Sequence, residues 1–182
     1  MSEMRKYRLT DETITIAGVT LYRIQATRDF GNVRKGERGG FIQSENNLSQ
    51  ENSCWVYGNA EVCGDAEVCG NAEVCGNAKV CGDAKVCGDA KVYGNACVCG
   101  NAEVKSSRDY IVFKNFWSSG RHFTYTRSNG MWTVGCFHGT GEELIRKAYA
   151  DSQEKGWQYE RVVRYVEDVE RHEKEQGGGT DE

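Results

Sequence analysis

Residues Val56 to Glu103 of this 182-residue chain read VYGNAEVCGDAEVCGNAEVCGNAKVCGDAKVCGDAKVYGNACVCGNAE, and this segment carries the clearest structural signal of the sequence. It repeats every six residues through eight consecutive units, each with one Val, one Ala and a Gly followed by Asn or Asp. A period of six residues is typical of a parallel β-helix, in which hexapeptides stack along one axis. We expect Val to point into a narrow prism with Ala beside it. Gly-Asn or Gly-Asp should form the corners, where positive φ is easiest for these residues.

The hexapeptide pattern resembles the left-handed β-helix family, in which three units make one triangular coil. The stacking period is then eighteen residues. It places four oppositely charged pairs in neighbouring coils: Glu61 with Lys79, Glu67 with Lys85, Glu73 with Lys91, and Lys85 with Glu103. The charge pattern therefore supports the coil period independently of the Val pattern. The eight units make fewer than three coils, so both ends of the prism need caps from the flanking segments.

Nine cysteines are present, and most of them occupy one position of the repeat. Two outward ladders follow from the eighteen-residue spacing: Cys63, Cys81 and Cys99 in one, Cys69 and Cys87 in the other. One interpretation is a metal or redox site. The other is a small residue at a tolerant surface position, where Tyr57 and Tyr93 also occur. No His stands in the repeat to complete a zinc set, so we expect neither a metal nor a cofactor.

The N-terminal part contains a predicted β-hairpin. Residues 13–24, TITIAGVTLYRI, alternate apolar and polar side chains around a Gly turn. A two-residue turn at Ala17-Gly18 brings Glu12 beside Arg23, and a turn one residue longer brings Asp11 there instead. A hairpin with basic and aromatic side chains can enter a nucleic-acid groove, or it can merely cap the prism.

Charge is distributed unevenly along the chain. Residues 1–38 hold eight Lys/Arg and five Asp/Glu, a net charge of +3, whereas residues 39–104 hold three and nine, a net charge of −6. Residues 105–138 hold five basic residues and one acidic residue. A nucleic-acid partner would therefore meet the ends rather than the middle. The N-terminal residues that we predict to contact RNA are Tyr7, Arg8, Arg28, Arg34, Lys35 and Arg38.

The C-terminal part predicts a small α/β domain. Three strands joined by Gly and Ser turns are predicted at 109–114, 122–127 and 131–137. A capping box at Thr140 and Glu143 opens one helix, and a second helix follows Gly156. Aromatic residues among basic ones on these strands indicate either RNA base stacking or a core beneath the helices.

We therefore expect a mainly β protein in four parts. These are an N-terminal β-hairpin and cap at 1–40, a short left-handed parallel β-helix at 41–104, a small α/β domain of three strands and two helices at 105–176, and a disordered tail at 177–182. Association along the prism faces into a homo-oligomer is a further option in this fold family.

The histidine content bears on enzymatic function. Many hexapeptide-repeat proteins are acyltransferases or carbonic anhydrase-like enzymes, which need His near the coils. This chain has only His122, His138 and His172, and none lies in the repeat. We therefore expect the repeat to be a scaffold and the chain not to be a typical acyltransferase.

Three segments carry a resemblance to proteins of mobile genetic elements. Residues 39–49 (GGFIQSENNLS) and 55–60 (WVYGNA) are similar to bacterial and prophage hexapeptide-repeat proteins, and residues 134–140 (VGCFHGT) resemble the end domain of phage-encoded proteins. In size and organisation the chain resembles anti-CRISPR proteins that act on type II Cas9, one group of which truncates the guide RNA. The resemblance implies the Cas9–guide RNA complex as partner, no membrane, and a location in the cytoplasm of the bacterial host.

Cleavage at a ribose 2′-hydroxyl needs a base, an acid and a cation for the phosphate. Glu12, Tyr22 and Arg23 are the nearest such cluster, and they are the predicted catalytic residues of a ribonuclease-like activity that depends on Cas9. Two alternatives stay open. One is a non-catalytic anti-defence module that blocks a defence protein or sequesters a nucleotide, and the other is a hexapeptide-repeat acyltransferase.

Overall fold

The computed structural model describes residues 5–117 and 119–177. Packing divides the chain into two compact units, the first ending at His138 and the second beginning at Gly139. The finer boundaries predicted after residues 40, 104 and 176 stay predictions. Among the described residues, no helix combines the length and the apolar character that crossing a membrane requires.

Three strands precede the repeats: β1 (Tyr7–Ile16), β2 (Val19–Ala26) and β3 (Arg38–Ile42). Strands β1 and β2 form the predicted antiparallel hairpin, in which Ile16 pairs with Val19. Positive φ angles of 48° at Ala17 and 82° at Gly18 close the two-residue turn. Strand β3 is antiparallel to β2 and parallel to a strand of the repeats, so the hairpin sheet continues into one face of the solenoid.

The repeats form nine two-residue strands. They are β4 (Trp55–Val56), β5 (Glu61–Val62), β6 (Glu67–Val68), β7 (Glu73–Val74), β8 (Lys79–Val80), β9 (Lys85–Val86), β10 (Lys91–Val92), β11 (Cys97–Val98) and β12 (Glu103–Val104). Each strand stacks in parallel register on the strand eighteen residues away, and every Val of these strands is buried. The left-handed parallel β-helix and its eighteen-residue period are confirmed.

The solenoid has about four turns, more than the hexapeptide units alone supply. The additional coil combines residues before the repeats with Val56, the first residue of the repeats. Its buried positions are Ile42, Leu48 and Val56, which lie beside Val62, Val68 and Val74 of the next coil. Aliphatic side chains fill the prism here as the Val residues do in the later coils.

Glycine is required at the corners of the coils. The φ angles of the corner glycines lie between 61° and 74°, a region that L side chains rarely adopt. At Gly82, a Cβ would also lie 3.0 Å from the backbone nitrogen of Gly100 in the next coil. The predicted corner role of the Gly-Asn and Gly-Asp pairs is therefore confirmed, and both backbone angle and coil spacing explain it.

A four-stranded sheet follows the solenoid. Its strands, in chain order, are β13 (Tyr110–Lys114), β14 (His122–Thr126), β15 (Met131–Val134) and β16 (Phe137–Gly139). The sequence predicted three strands. The third predicted segment divides into two because Gly135, with a φ of 60°, turns the chain.

Two helices form the second unit: α1 (Gly141–Asp151) and α2 (Gln153–Gly177). The predicted capping box is confirmed, because the Thr140 hydroxyl accepts from the Glu143 backbone N–H and the Glu143 carboxylate accepts from that of Thr140. Helix α2 begins before Gly156 rather than after it. Gly156 lies inside the helix, at a position where the Tyr149 ring occupies the space that a side chain would need. Gly177 ends α2, and the rest of the predicted tail, 178–182, lies outside the described residues.

Candidate functional site

The hairpin places a carboxylate between two guanidinium groups. Glu12 lies where the β1–β2 register shifts, between the paired residues Leu9 and Thr13. One carboxylate oxygen of Glu12 is 2.8 Å from Arg23 Nε, and the other contacts the guanidinium of Arg38. The predicted proximity of Glu12 and Arg23 is thus observed, and Arg38 joins them from β3.

Arg23 is fastened to the solenoid. Its Nη1 donates to the backbone carbonyl oxygens of Gly39 at 2.7 Å and Gly58 at 3.0 Å. Its guanidinium lies over the Phe41 ring, 4.1 Å from the centroid, and only 15% of its side chain is exposed. Arg23 therefore anchors the hairpin to the first coil, and most of its donor capacity is already used.

Tyr22 does not join this cluster. It pairs with Thr13 on one side and Ile42 on the other, and neighbouring residues of a strand point to opposite faces of the sheet. Tyr22 and Arg23 therefore project from opposite faces of β2. The structure brings together Glu12 and Arg23 of the predicted catalytic trio but not Tyr22, and both Glu12 oxygens are held by cations.

The six predicted RNA contacts lie in different environments. Tyr7 is fully buried, its hydroxyl donates to the Leu48 carbonyl at 2.6 Å, and its ring lies edge-on to Trp55. A base could reach the ring only if this packing opened. Arg28 is half-buried, and its Nε lies inside without a hydrogen-bond partner among the described residues. The other four are exposed: Arg8, Arg34, Lys35 and Arg38.

A second candidate site lies where the last coils meet the sheet. A cavity of about 370 Å³ is lined by Tyr93, Gly94, Asn95, Ser107, Tyr110, Ile111, Val112 and His122. The Tyr110 hydroxyl donates to the Lys91 carbonyl at 2.9 Å, and burial raises the pKa of Tyr110 to about 12. The His122 Nε2 is 3.5 Å from the Asn95 side-chain nitrogen. The cavity combines two phenol rings with one imidazole.

His138 also reaches the coils. Its Nδ1 is 3.1 Å from the Thr133 hydroxyl, and its Nε2 would lie 2.7 Å from a Cβ at Gly100. The sequence indicated that no His lies in the repeat, which is correct, yet the sheet carries both His122 and His138 to the corners of the last coil. From the sequence, His138 is a candidate acid–base group or anion contact, with a structural role as the alternative. No period or motif of the chain links either histidine to the repeat, so their approach to the coils could not be predicted.

Three cysteines cluster on the outer surface of the solenoid. Cys81 and Cys99 form a disulfide between neighbouring coils, and Cys97 Sγ lies 3.1 Å from Cys99 Sγ. Burial raises the pKa of the Cys97 thiol to about 11. The cysteine ladder predicted from the eighteen-residue spacing brings Cys81 and Cys99 together, whereas Cys97 stands at a repeat position that otherwise carries Glu or Lys.

The fold and these sites define the class: a hexapeptide-repeat protein built on a left-handed β-helix. No known protein family matched the chain. The chain is 40% identical over 62 residues to the protein called uncharacterized acetyltransferase YdcK from Escherichia coli (strain K12). The match covers 30% of this chain and 19% of that protein. The matched part of the chain therefore spans about a fifth of the length of this curated relative.

Proposed function

We propose that this chain is an anti-defence binding protein that engages the guide RNA of a type II Cas9 complex through its hairpin end. The observation that carries the proposal is the set of exposed cations that this end presents: Arg8, Arg34, Lys35 and Arg38. The adjoining segment, 39–104, has a net charge of −6. A phosphate backbone is attracted to the first region and repelled by the second.

The geometry favours binding over cleavage. A general base needs a free oxygen, and both Glu12 oxygens contact guanidinium groups. Cleavage would require a phosphate to take Arg38 from Glu12, which would free one oxygen to accept the 2′-hydroxyl proton. The 2′-oxygen would then attack phosphorus, and the 5′-oxygen would leave with a proton from water, because Tyr22 faces the other way. Guide truncation therefore requires a rearrangement of the Glu12–Arg38 contact that binding alone does not require.

The test measures binding and guide integrity together. The purified chain is incubated with the Cas9–guide complex, binding is measured against salt, and the guide is run on a denaturing gel. With four phosphate contacts, the slope of log K against log salt should be about −3. The double variant R34A/K35A should bind at least about tenfold more weakly, because two lost charge-assisted contacts cost about 2 kcal/mol or more.

The matched control is K85A/K91A, which removes two cations from the side of the solenoid, where they are 3.7 Å and 3.2 Å from Glu67 and Glu73. It should bind as the wild type does. Equal affinity of R34A/K35A and the wild type for the Cas9–guide complex would contradict the proposal. If the wild type shortens the guide and Glu12→Gln leaves it intact, the proposal would extend to cleavage.

A second candidate is acyl transfer at the His122 cavity, favoured by the imidazole beside Asn95 and by the name of the E. coli relative. His122 would take the proton of an acceptor hydroxyl or amine as that group attacks a thioester carbonyl, and the C–S bond would break to release a thiol. Thiol release from acetyl-coenzyme A in the presence of candidate acceptors tests this. Loss of release in His122→Ala but not in His172→Ala would support it, and no release from the wild type would exclude it for those acceptors.

A further inference from the structure

The outer surface of the last coils holds three sulfur atoms in one place. The Sγ atoms of Cys81, Cys97 and Cys99 all lie within 4.8 Å of one another, and each side chain is half-buried. Cys97 and Cys99 flank Val98, whose side chain points inward, so both cysteines project outward at β11, Cys97 within the strand and Cys99 directly after it. Cys81 lies eighteen residues before Cys99, in the neighbouring coil.

The site is built from more than the repeat. In the ladder of Glu61, Lys79 and Cys97, two charged residues are followed by a thiol where the coil meets the sheet. The backbone N–H of Cys97 donates to the Thr124 hydroxyl of β14 at 2.9 Å, so β14 lies alongside and fixes this strand. The three sulfurs are therefore held by two stacked coils and a flanking strand, and they need little rearrangement to converge on one atom.

Three sulfur ligands without a fourth select a particular class of ion. Thiolates are soft ligands that favour copper(I), whereas structural zinc sites almost always have four protein ligands. Among the described residues, no fourth His, Cys, Asp or Glu joins this group. We propose that reduced Cys81, Cys97 and Cys99 form a three-thiolate site for a soft monovalent cation, copper(I), and that the Cys81–Cys99 disulfide closes it.

Opening the site is a two-electron reduction. A dithiol reductant gives two electrons and two protons, the S–S bond between Cys81 and Cys99 breaks, and the reductant becomes a disulfide. Copper(I) then replaces the protons on the three sulfurs, which pass to solvent. In the oxidised chain only Cys97 keeps a free thiol in this cluster, so the cation loses two of its three ligands.

Other cysteines of the solenoid provide matched controls. Cys75 occupies the same place in its repeat unit as Cys81 and Cys99, but its neighbours in the ladder are Tyr57 and Tyr93. No second sulfur can stack on it. Cys75→Ser therefore removes one thiol from the solenoid without touching the cluster.

The test titrates the reduced full chain with copper(I) under anaerobic conditions against a competing chelator, and follows the thiolate-to-copper absorbance. The wild type should bind one equivalent of copper(I) tightly. Cys97→Ser should lose this equivalent or bind it at least about tenfold more weakly, whereas Cys75→Ser should bind it as the wild type does. The oxidised chain should lack it until a dithiol is added. Cys97→Glu, which restores a residue typical of this repeat position and faces Lys79, serves as a second variant if Cys97→Ser does not fold. Wild-type affinity in either Cys97 variant, or an equal loss in Cys75→Ser, would overturn the proposal.

Discussion

Glu61 and Lys79, eighteen residues apart in sequence, lie directly opposite each other in neighbouring coils, with 2.5 Å between the Glu61 carboxylate and Lys79 Nζ. The same arrangement recurs at Glu67 with Lys85, 3.7 Å, and at Glu73 with Lys91, 3.2 Å. Each of these cross-strand pairs of opposite charge adds a small stabilising contribution to the stacking of the coils.

Charge reversal tests this ladder. Glu61→Lys should lower the free energy of unfolding by about 0.5–1 kcal/mol, because it places two cations opposite each other. The double variant E61K/K79E should recover most of that loss, and the difference should shrink in high salt. Urea unfolding at two salt concentrations measures both effects. Additive losses in the double variant would show that the pair does not interact.

Corner glycines should differ in their tolerance of a side chain. Gly82→Ala should destabilise the solenoid by about 3 kcal/mol, because it combines a φ of 69° with a Cβ 3.0 Å from the next coil. Gly94→Ala is the control: its φ is 71°, but nothing lies within 4 Å of the added Cβ. It should cost only about 1 kcal/mol. Equal losses by chemical denaturation would assign the whole effect to φ and none to coil spacing.

The periodic part of the fold could be predicted because each coil depends on a fixed distance along the chain. Every Val of the repeat finds its partner eighteen residues away, so one unit specifies the next. The hairpin could also be predicted, because the Ala17-Gly18 turn sets the register between residues that are close in sequence. The predicted bounds of the β-helix, 41–104, include the first coil, but the eight hexapeptides alone indicate fewer than three coils. The inward residues of the first coil, Ile42, Leu48 and Val56, are spaced by six and then eight residues, which breaks the period.

The candidate sites depend on contacts that no period encodes. Glu12 and Arg23 meet as the hairpin register predicts, but Arg38 arrives from a third strand. Tyr22 and Arg23 are neighbours in sequence, but the pleat sends adjacent side chains to opposite faces, so they do not form one site. His122 reaches the last coil through packing between a sheet and a solenoid, which are separate in sequence.

Gly156 offers a prediction against the usual helix propensity. Replacing a helical Gly by Ala normally stabilises a helix by up to about 1 kcal/mol. Here the new Cβ would lie 2.2 Å from the Tyr149 ring, so Gly156→Ala should destabilise the helical unit. In a Tyr149→Ala background the same change should become neutral or stabilising, because the obstructing ring is gone. Thermal unfolding of the four proteins completes the cycle, and a destabilising effect of equal size in both backgrounds would contradict the clash.

Tyr110 gives a pH-dependent prediction. Its hydroxyl donates to the Lys91 carbonyl, and burial raises its pKa to about 12, above the ordinary value of 10.0. A raised acid pKa in the folded state contributes stability that is complete below the unfolded value and is lost as pH rises through the folded value. Tyr110→Phe should therefore cost about 1 kcal/mol at about pH 8.

The difference in the free energy of unfolding between the wild type and Tyr110→Phe should narrow above about pH 10, because the phenol of the unfolded chain then ionises while that of the folded chain keeps its proton. Tyr93→Phe is the matched control, since its ring packs edge-on against Tyr110 at 6.2 Å but is 59% exposed. It should lower the free energy of unfolding less than Tyr110→Phe does at about pH 8, because the Tyr93 side chain is already exposed. Urea unfolding at about pH 8 and about pH 11 measures these differences. If the free energies of unfolding of the wild type and Tyr110→Phe differ equally at both pH values, the raised pKa of Tyr110 does not contribute to stability.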